Sequence, residues 1–205
     1  MPKATKLSRK PAETRQLLID ATVRLMLRQG FSATTVEQIC SEAGLTKGSF
    51  FHYFETKEAI GRAAVEWWGN MGTALYAAVW ADSEADPLDQ LHRMFDIMVG
   101  FTERPDESCV CVVGMMSQEL AQTHPEMRAA CNLQLQIWSA NVAKMLAAAK
   151  KTHRPRASFD PESVAWFLNS LWQGSMLVAK TRQNQKMIAS NLRHARSYVD
   201  GLLGK

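Results

Sequence analysis

The chain has 205 residues, a formal net charge of +4 and an apolar fraction of 46%, enough for one or two domains with a buried core. It contains no run of 18 uncharged apolar residues and no apolar stretch behind its basic start, so we expect no membrane span, no secretory signal and a cytoplasmic location. The four cysteines do not predict a disulfide framework, and no zinc-site spacing recurs, so we expect no metal and no other cofactor.

Amphipathic stretches punctuated by proline and glycine predict helices along the whole chain, and no alternating strand pattern competes with them. The predicted helices are 11–29, 36–43, 47–54, 57–81, 87–103, 109–122, 124–151, 160–182 and 185–203. We therefore predict an all-α fold.

Two short helices meet at a glycine near residue 44. Thr35 and Gln38 have the spacing of a capping box, in which each side chain satisfies the other residue's backbone N–H. Gly44 suits the left-handed position that ends a helix, and Thr46 can cap the next one. This spacing predicts a helix-turn-helix.

The second of these helices has two aromatic residues, Phe50 and Phe54, four positions apart, which should face the core. The other side is then polar or aromatic and is typical of a DNA-reading helix, with Lys47 and Ser49 reaching phosphates or base edges and Phe51 offering an apolar surface to a thymine methyl. The predicted DNA-binding residues are Thr35, Thr46, Lys47, Gly48, Ser49, Phe51, His52, Tyr53 and Lys57. Gly48 permits close approach, and Tyr53 and Lys57 suit backbone phosphates. The alternative is a tight αα-corner whose aromatic side chains only fill a core.

The charge distribution favours the DNA-binding interpretation. Residues 1–57 hold nine Lys/Arg and five Asp/Glu, whereas the remaining 148 residues hold fifteen of each sign. The whole formal excess of +4 therefore lies in the first quarter of the chain, as expected of a phosphate-binding end. We interpret Lys3, Lys6, Arg9 and Lys10 as a flexible basic arm, the alternative being a solvated terminus without a role.

These motifs resemble the N-terminal signature of the TetR family of transcriptional regulators. The matching residues are Thr35, Ile39, Ala43, Gly44, Leu45, Lys47, Gly48, Phe50, Tyr53, Phe54 and Lys57. The chain departs from the signature at Phe51, where tyrosine is usual. The resemblance implies an N-terminal three-helix helix-turn-helix domain over 1–56, a C-terminal helical ligand-binding and dimerisation domain over 57–205, and a repressor that a small-molecule inducer releases from double-stranded operator DNA.

The rest of the chain resembles the regulatory domain of the NemR and AcuR type of TetR regulator. The resemblance rests on Cys111-Val-Val-Gly-Met-Met-Ser-Gln-Glu119, on Pro125-Glu-Met-Arg128 and on Leu171-Trp-Gln-Gly-Ser-Met-Leu-Val-Ala-Lys180. It implies that Cys111 senses reactive electrophiles or oxidants and that Lys180 is its partner. This chain has Val110 where glycine usually precedes the cysteine, and it adds Cys109.

The last two helices have apolar stripes that suit a homodimer. The stripes are Val164, Phe167, Leu168, Leu171, Trp172, Ser175 and Val178, and then Ile188, Leu192, Ala195, Val199 and Leu202. Two such helices from each chain would form a four-helix bundle on a twofold axis and present recognition helices to palindromic half-sites ~34–36 Å apart. The alternative is that both stripes face only the chain's own core.

A Met-rich and aromatic set predicts a ligand pocket, since such side chains adapt to irregular organic molecules. The predicted lining is Met98, Phe101, Met115, Trp138 and Trp172, with Met94, Phe95 and Met116 as further candidates. The alternative is ordinary core packing.

Three other functions remain to be distinguished. A TetR-like repressor with a non-covalent pocket for a hydrophobic drug or metabolite would share the DNA-binding half. An enzyme is disfavoured, because no Ser/His/Asp or Cys/His signature accompanies the histidines, and we assign no catalytic residue. A helical interaction module would bind its partner independently of salt, whereas DNA affinity falls steeply with salt.

Overall fold

A computed structural model describes residues 10–102 and 110–205, and within these ranges the regular secondary structure is entirely helical. The helices are α1 Pro11–Gln29, α2 Val36–Ala43, α3 Lys47–Tyr53, α4 Lys57–Ala81, α5 Pro87–Thr102, α6 Val112–Leu120, α7 Pro125–His153, α8 Pro161–Arg182 and α9 Lys186–Leu202. The all-α prediction is confirmed. None of the helices in the described ranges is both long and apolar enough to cross a membrane.

The chain forms two compact units, Met1–Trp67 and Trp68–Lys205, which divide within α4. The sequence placed the boundary before Lys57. The observed division lies later because the first turns of α4 belong to the first unit, where Ile60, Ala64 and Val65 are completely buried.

In the first unit α1 packs on α2, and α2 packs on α3. Its largest fully buried side chains are Phe31, Phe50, Leu18, Ile19, Met26, Ile39 and Ile60. Burying one such side chain contributes about 1.5–3 kcal/mol, so this small core holds α1, α2 and α3 together.

In the second unit α7 contacts α5, α6 and α8, and α9 contacts both α5 and α8. The buried core includes Leu91, Met94 and Met98 from α5 and Leu168, Trp172 and Met176 from α8. Met98 is only 1% exposed.

Helix ends in the second unit are fixed by side chains. The Asp160 carboxylate accepts the N–H groups of Glu162 and Ser163 and so caps α8. Asp86 Oδ1 accepts the N–H of Leu88 at 2.8 Å at the start of α5 and also pairs with His153 Nε2 of α7 at 2.9 Å. The start of α5 is thereby tied to the end of α7.

Several predicted helix boundaries differ from the observed ones by one to three residues, and two of these differences concern Phe54 and Cys111. Phe54 is not the last residue of α3 but its C-cap, with extended backbone at φ −137°. The helix predicted over 109–122 begins at Val112, because Cys111 has the extended backbone of an N-cap. Cys109 lies outside the described residues.

The apolar stripe predicted on α9 serves the chain's own core. Ile188, Leu192, Ala195 and Val199 are at most 1% exposed within the single chain, so these residues are not available to a second copy. On α8, Phe167 and Val178 remain exposed. The exposed large apolar side chains of the two helices are Phe167, Leu177, Val178 and Tyr198. We call these four residues the α8–α9 apolar face.

Candidate nucleic-acid interface and ligand cavity

Both helices of the helix-turn-helix start at the predicted caps. Thr35 Oγ1 accepts the Gln38 N–H at 3.2 Å while Gln38 Oε1 accepts the Thr35 N–H at 2.9 Å. Gly44 has the left-handed conformation, at φ 63° and ψ 38°. Thr46 Oγ1 accepts the Ser49 N–H at 3.1 Å and starts α3. The predicted capping box, glycine turn and second cap are therefore all present.

The aromatic residues of α3 and its C-cap divide between core and surface. Phe50 and Phe54 are buried, whereas Phe51 is 55% exposed. His52 is also exposed, and Tyr53 is half-buried. An exposed phenylalanine beside a lysine and a histidine is not explained by the packing of the unit itself.

Gly48 is the second residue of α3, and the chain does not require a glycine there. An added Cβ would meet only Thr46 Oγ1, at 3.7 Å. Because glycine weakens a helix interior relative to alanine, its presence favours approach by something outside the chain.

Three predicted contact residues, Lys47, Thr46 and Ser49, have polar partners within the unit. Lys47 forms an ion pair with Glu37, and both side chains are more than half exposed. The Ser49 and Thr46 hydroxyls lie 3.1 Å apart. A phosphate bound by Lys47 would therefore compete with a carboxylate, an arrangement that charge counting alone did not predict.

The Lys57 ammonium has partners within the chain. Its Nζ donates to the carbonyl oxygens of Phe31 at 3.0 Å, Ser32 at 3.4 Å and Thr34 at 2.8 Å, and it lies 4.5 Å from the centre of the Phe31 ring. An ammonium has three N–H donors, so these three carbonyls occupy all of them. Lys57 fastens the α1–α2 connection to α4 rather than presenting a free cation.

The basic arm is described only from Lys10 onward, because Lys3, Lys6 and Arg9 lie outside the described residues. Lys10 is the N-cap of α1. A further charged group was missed by the sequence analysis: Glu42 accepts from Arg24 at 2.9 Å and from Arg28 at 2.8 Å. The two guanidinium groups lower the pKa of Glu42, so part of the local positive charge is neutralised internally.

The second unit contains an aromatic cavity of about 100 Å³. Its aromatic lining residues are Trp68, Tyr76, Phe101, Trp138 and Trp172. Among the described lining residues none is charged, and the polar side chains are those of Thr73, Gln134, Asn169 and Gln173, beside the thiol of Cys111. Burial, and then the nearby Cys111, raise the pKa of Tyr76, so its hydroxyl stays neutral at physiological pH.

A second cavity, of about 160 Å³, lies on the other side of a shared wall. Its polar lining residues are Gln118, Glu119, Gln173 and Lys180, and Met115 also lines it. The residues that line both cavities are Val110, Cys111, Gln173 and Met176. Cys111 therefore lies where a molecule in either cavity could reach the sulfur.

The structure brings Cys111 and Lys180 to one cavity, but it gives the thiol a different hydrogen-bond donor. Gln173 Nε2 donates to Cys111 Sγ at 3.6 Å, while the Lys180 side chain is exposed. Burial raises the pKa of the Cys131 and Cys40 thiols, which keeps both in the unreactive protonated form. Cys111 is only partly buried.

Four of the five predicted pocket residues line a cavity. Phe101, Trp138 and Trp172 line the aromatic cavity, and Met115 lines the second one. Met98 lines neither of these two cavities: it is part of the core between α5 and its neighbours, as are Met94 and Phe95. A helical stripe predicts burial but not which buried residues border a void.

Comparison with known proteins defines the class. Residues 18–64 match the family model described as bacterial regulatory proteins, tetR family, and residues 87–195 match the tetracyclin repressor-like C-terminal domain. The chain belongs to the TetR family. It is a helix-turn-helix transcriptional regulator and not an enzyme.

Several relatives align along most of the chain. The transcriptional regulator AcuR of Cereibacter sphaeroides is 28% identical over 172 residues, covering 80% of this chain and 75% of that protein. The repressor DhaR of Mycobacterium sp. is 25% identical, covering 84% and 85%. The repressor NemR of Escherichia coli is 23% identical, covering 91% and 94%.

Solved structures share the fold. A regulatory protein TetR from Rhodobacter sphaeroides has a TM-score of 0.80 at 26% identity and covers 90% of this chain and 98% of that one. Reduced NemR from Escherichia coli has a TM-score of 0.80 at 24% identity, covering 93% and 96%. TetR regulators bind operator DNA and act as dimers with small-molecule ligands.

Proposed function

We propose that this regulator is a repressor that binds a palindromic operator through the outer face of α3 and leaves it when Cys111 reacts with an electrophile. The observation that carries the DNA-binding part is the exposed Phe51, which is 55% accessible while its neighbour Phe50 is completely buried. The Phe51 ring lies on the exposed side of α3, beside Lys47 and Gly48. This position suits contact with a thymine methyl in the major groove of DNA.

In this proposal Lys47 and Ser49 contact phosphates or base edges, Tyr53 and His52 contact the backbone, and Gly48 allows the backbone to approach. Thr35 and Thr46 fix the starts of the two helices through their caps. Two copies joined by α8 and α9 would present two α3 helices to two half-sites. Repression is the activity that the names of DhaR and NemR give for those proteins.

The sensing part rests on the position of Cys111 in the wall between the two cavities. In the proposed reaction the thiolate adds to the β-carbon of an α,β-unsaturated carbonyl compound held in the aromatic cavity. A carbon–sulfur bond forms, the C=C π pair moves to give an enolate, and water supplies the proton that completes the saturated product. The bulkier side chain favours a conformation that binds the operator less well, and that difference in binding free energy, typically 1–3 kcal/mol, is the coupling.

A second candidate is a repressor whose inducer binds the same aromatic cavity without a covalent bond. The observation in its favour is that five aromatic side chains line the cavity. Such side chains can hold a planar hydrophobic molecule by stacking and burial alone. Met115 and Lys180 would then line a separate cavity and take no part in chemistry.

The test is a mobility shift on promoter-proximal DNA with wild type, Cys111→Ser and Phe51→Ala, each with and without a quinone. The proposal predicts sequence-specific binding that falls steeply with salt, loss of binding in Phe51→Ala, and release by quinone in the wild type only. Release of Cys111→Ser by quinone would favour the non-covalent pocket. Absence of specific binding by the wild type would contradict the DNA-binding assignment.

A further inference from the structure

Gln173 makes a polar contact with the sulfur of Cys111. Its Nε2 donates to Cys111 Sγ at 3.6 Å, and the two residues are 62 positions apart, one at the start of α6 and the other in the middle of α8. An N–H that donates to a sulfur stabilises the thiolate more than the neutral thiol. Because the thiolate is the nucleophile, such a donor changes how fast the cysteine reacts.

Gly114 leaves the space in which the Gln173 amide lies. A Cβ at Gly114 would overlap Gln173 Oε1 and would lie 3.8 Å from Cys111 Cβ. Gly114 is the third residue of α6, a helical position at which glycine weakens the helix. The glycine thus has a local consequence: it lets Gln173 reach the sulfur between α6 and α8.

Gln173 also faces both places from which an electrophile can arrive, because it lines the aromatic cavity and the second cavity together with Cys111. We infer that Gln173 is the positioning residue of Cys111: its amide donates a hydrogen bond to the sulfur and orients it between the two cavities, and Gly114 makes this placement possible. This inference rests on the proposed sensing role of Cys111.

The chain supplies a matched control. Gln134 also lines the aromatic cavity, and its amide also occupies the space that a Cβ would fill at a glycine, Gly69. Gln134→Leu therefore repeats the change of size, polarity and packing of Gln173→Leu without removing a donor that the structure places on the sulfur.

The experiment measures the rate at which iodoacetamide alkylates Cys111, a reaction in which sulfur bonds to the CH₂ carbon and iodide leaves. A Cys109→Ser background leaves one thiol in the relevant peptide, and mass spectrometry separates it from Cys40 and Cys131. The variants are Gln173→Leu, Gln173→Glu, Gly114→Ala and Gln134→Leu, each measured from pH 6 to pH 10.

We expect Gln173→Leu and Gly114→Ala to slow alkylation at pH 7 by about tenfold, the scale of one hydrogen bond to a charged group, and to move the pH–rate profile to higher pH. Gln173→Glu, which keeps the shape but replaces the donor by a carboxylate, should slow it further. Gln134→Leu alters the wall of the aromatic cavity but removes no donor from the sulfur, so it should leave the pH–rate profile at the wild-type position. Gly114→Ala is informative because it keeps Gln173 and favours the helix, so a slower reaction there is not a result of unfolding.

Two results would overturn the inference. One is an alkylation rate and a pH–rate profile that are unchanged by all substitutions at Gln173 and Gly114, and the other is an equal displacement of that profile by Gln134→Leu and Gln173→Leu. A wild-type Cys111 that does not react at all would instead contradict the proposed sensing role, so the two failures are distinguishable.

Discussion

Lys47 and Glu37 form an ion pair that joins the first residue of α3 to α2 on the solvent side of the helix-turn-helix. The Lys47 ammonium lowers the pKa of the Glu37 carboxyl, so Glu37 is ionised at neutral pH. In the absence of DNA, the Glu37 carboxylate pairs with the Lys47 ammonium, which is proposed to bind phosphate.

We therefore expect Glu37→Gln to tighten operator binding by roughly threefold, the scale of one exposed ion pair. The slope of log affinity against log salt should become steeper by up to about 0.9, because Lys47 would then exchange a counterion rather than a carboxylate for the phosphate. Fluorescence anisotropy at several salt concentrations measures both quantities.

The Lys47→Gln background provides the control for this prediction. Without the ammonium, Glu37→Gln should have little effect, and a double-mutant cycle isolates the interaction. An equal gain in both backgrounds would mean that Glu37 acts by general repulsion of DNA and not through Lys47.

Gly48→Ala should affect stability and DNA binding in opposite directions. The chain leaves room for a methyl group at Gly48, so alanine should raise the free energy of unfolding by about 0.5–1 kcal/mol. If DNA backbone approaches this position, the same methyl group should weaken operator binding by about tenfold, equivalent to ~1.4 kcal/mol.

Gly100→Ala, in α5, is the matched control, since nothing lies within 4 Å of a Cβ there either. It should raise stability without changing DNA affinity. Denaturant unfolding and anisotropy together test the pair, and unchanged affinity in Gly48→Ala would remove Gly48 from the proposed interface.

Lys57→Met should destabilise the first unit by about 2 kcal/mol, because three carbonyls lose the ammonium that satisfies them. The salt slope of DNA binding should stay the same, since the ammonium is occupied within the chain. Lys47→Met should do the reverse, with a shallower slope and nearly wild-type stability. A shallower salt slope in Lys57→Met would instead support the phosphate contact that the sequence predicted for Lys57.

Asp86 gives the second unit a pH-dependent element. Burial would raise the pKa of this carboxyl, but the hydrogen bond from His153 and that from the Leu88 N–H outweigh it, and the pKa is lowered. A carboxyl with a lowered folded-state pKa contributes stability above its unfolded pKa, near 3.8, and loses that contribution as pH falls through the folded value.

Asp86→Asn should therefore lower the melting temperature at pH 7, and its difference from the wild type should shrink as the pH falls below 3.8 and through the lowered folded-state pKa. Asparagine keeps the cap of α5 but not the charge that faces His153, so Asp86→Ala should cost more, about 1 kcal/mol beyond Asp86→Asn. Thermal unfolding across pH 3–8 tests this, and a constant difference between Asp86→Asn and the wild type would contradict it.

The sequence predicted what depends on neighbours in the chain. The caps at Thr35 and Thr46 and the turn at Gly44 need only residues within a few positions, and all three are present. The acceptors of the Lys57 ammonium were not predicted because they lie 23–26 positions away. The Gln173 contact with Cys111 was missed for the same reason.

The α9 stripe shows a second limit of sequence patterns. Apolar residues that recur every 3–4 positions predict that Ile188 and Val199 share one helix face. The pattern does not show whether that face packs on the chain's own core or on a second copy. In the structure both side chains are completely buried within one chain. Tyr198 was not part of the predicted stripe, and its side chain is 43% exposed. On α9 this residue, and not the buried stripe, is therefore accessible to a second copy.

The α8–α9 apolar face gives the last prediction, which concerns the proposed homodimer. Phe167 and Tyr198 are both exposed, and their ring centres lie 5.1 Å apart at an interplanar angle of 60°, so the pair forms a continuous aromatic patch of the kind that marks a protein interface. Phe167→Glu should bury a charge against the partner's apolar side chains and shift sedimentation velocity from dimer to monomer at micromolar concentration. Leu133→Glu, at a similarly exposed leucine of α7, should leave the dimer intact. Because a monomer would hold only one half-site, Phe167→Glu should also weaken operator binding, and a variant that remained dimeric would show that copies of the chain meet elsewhere.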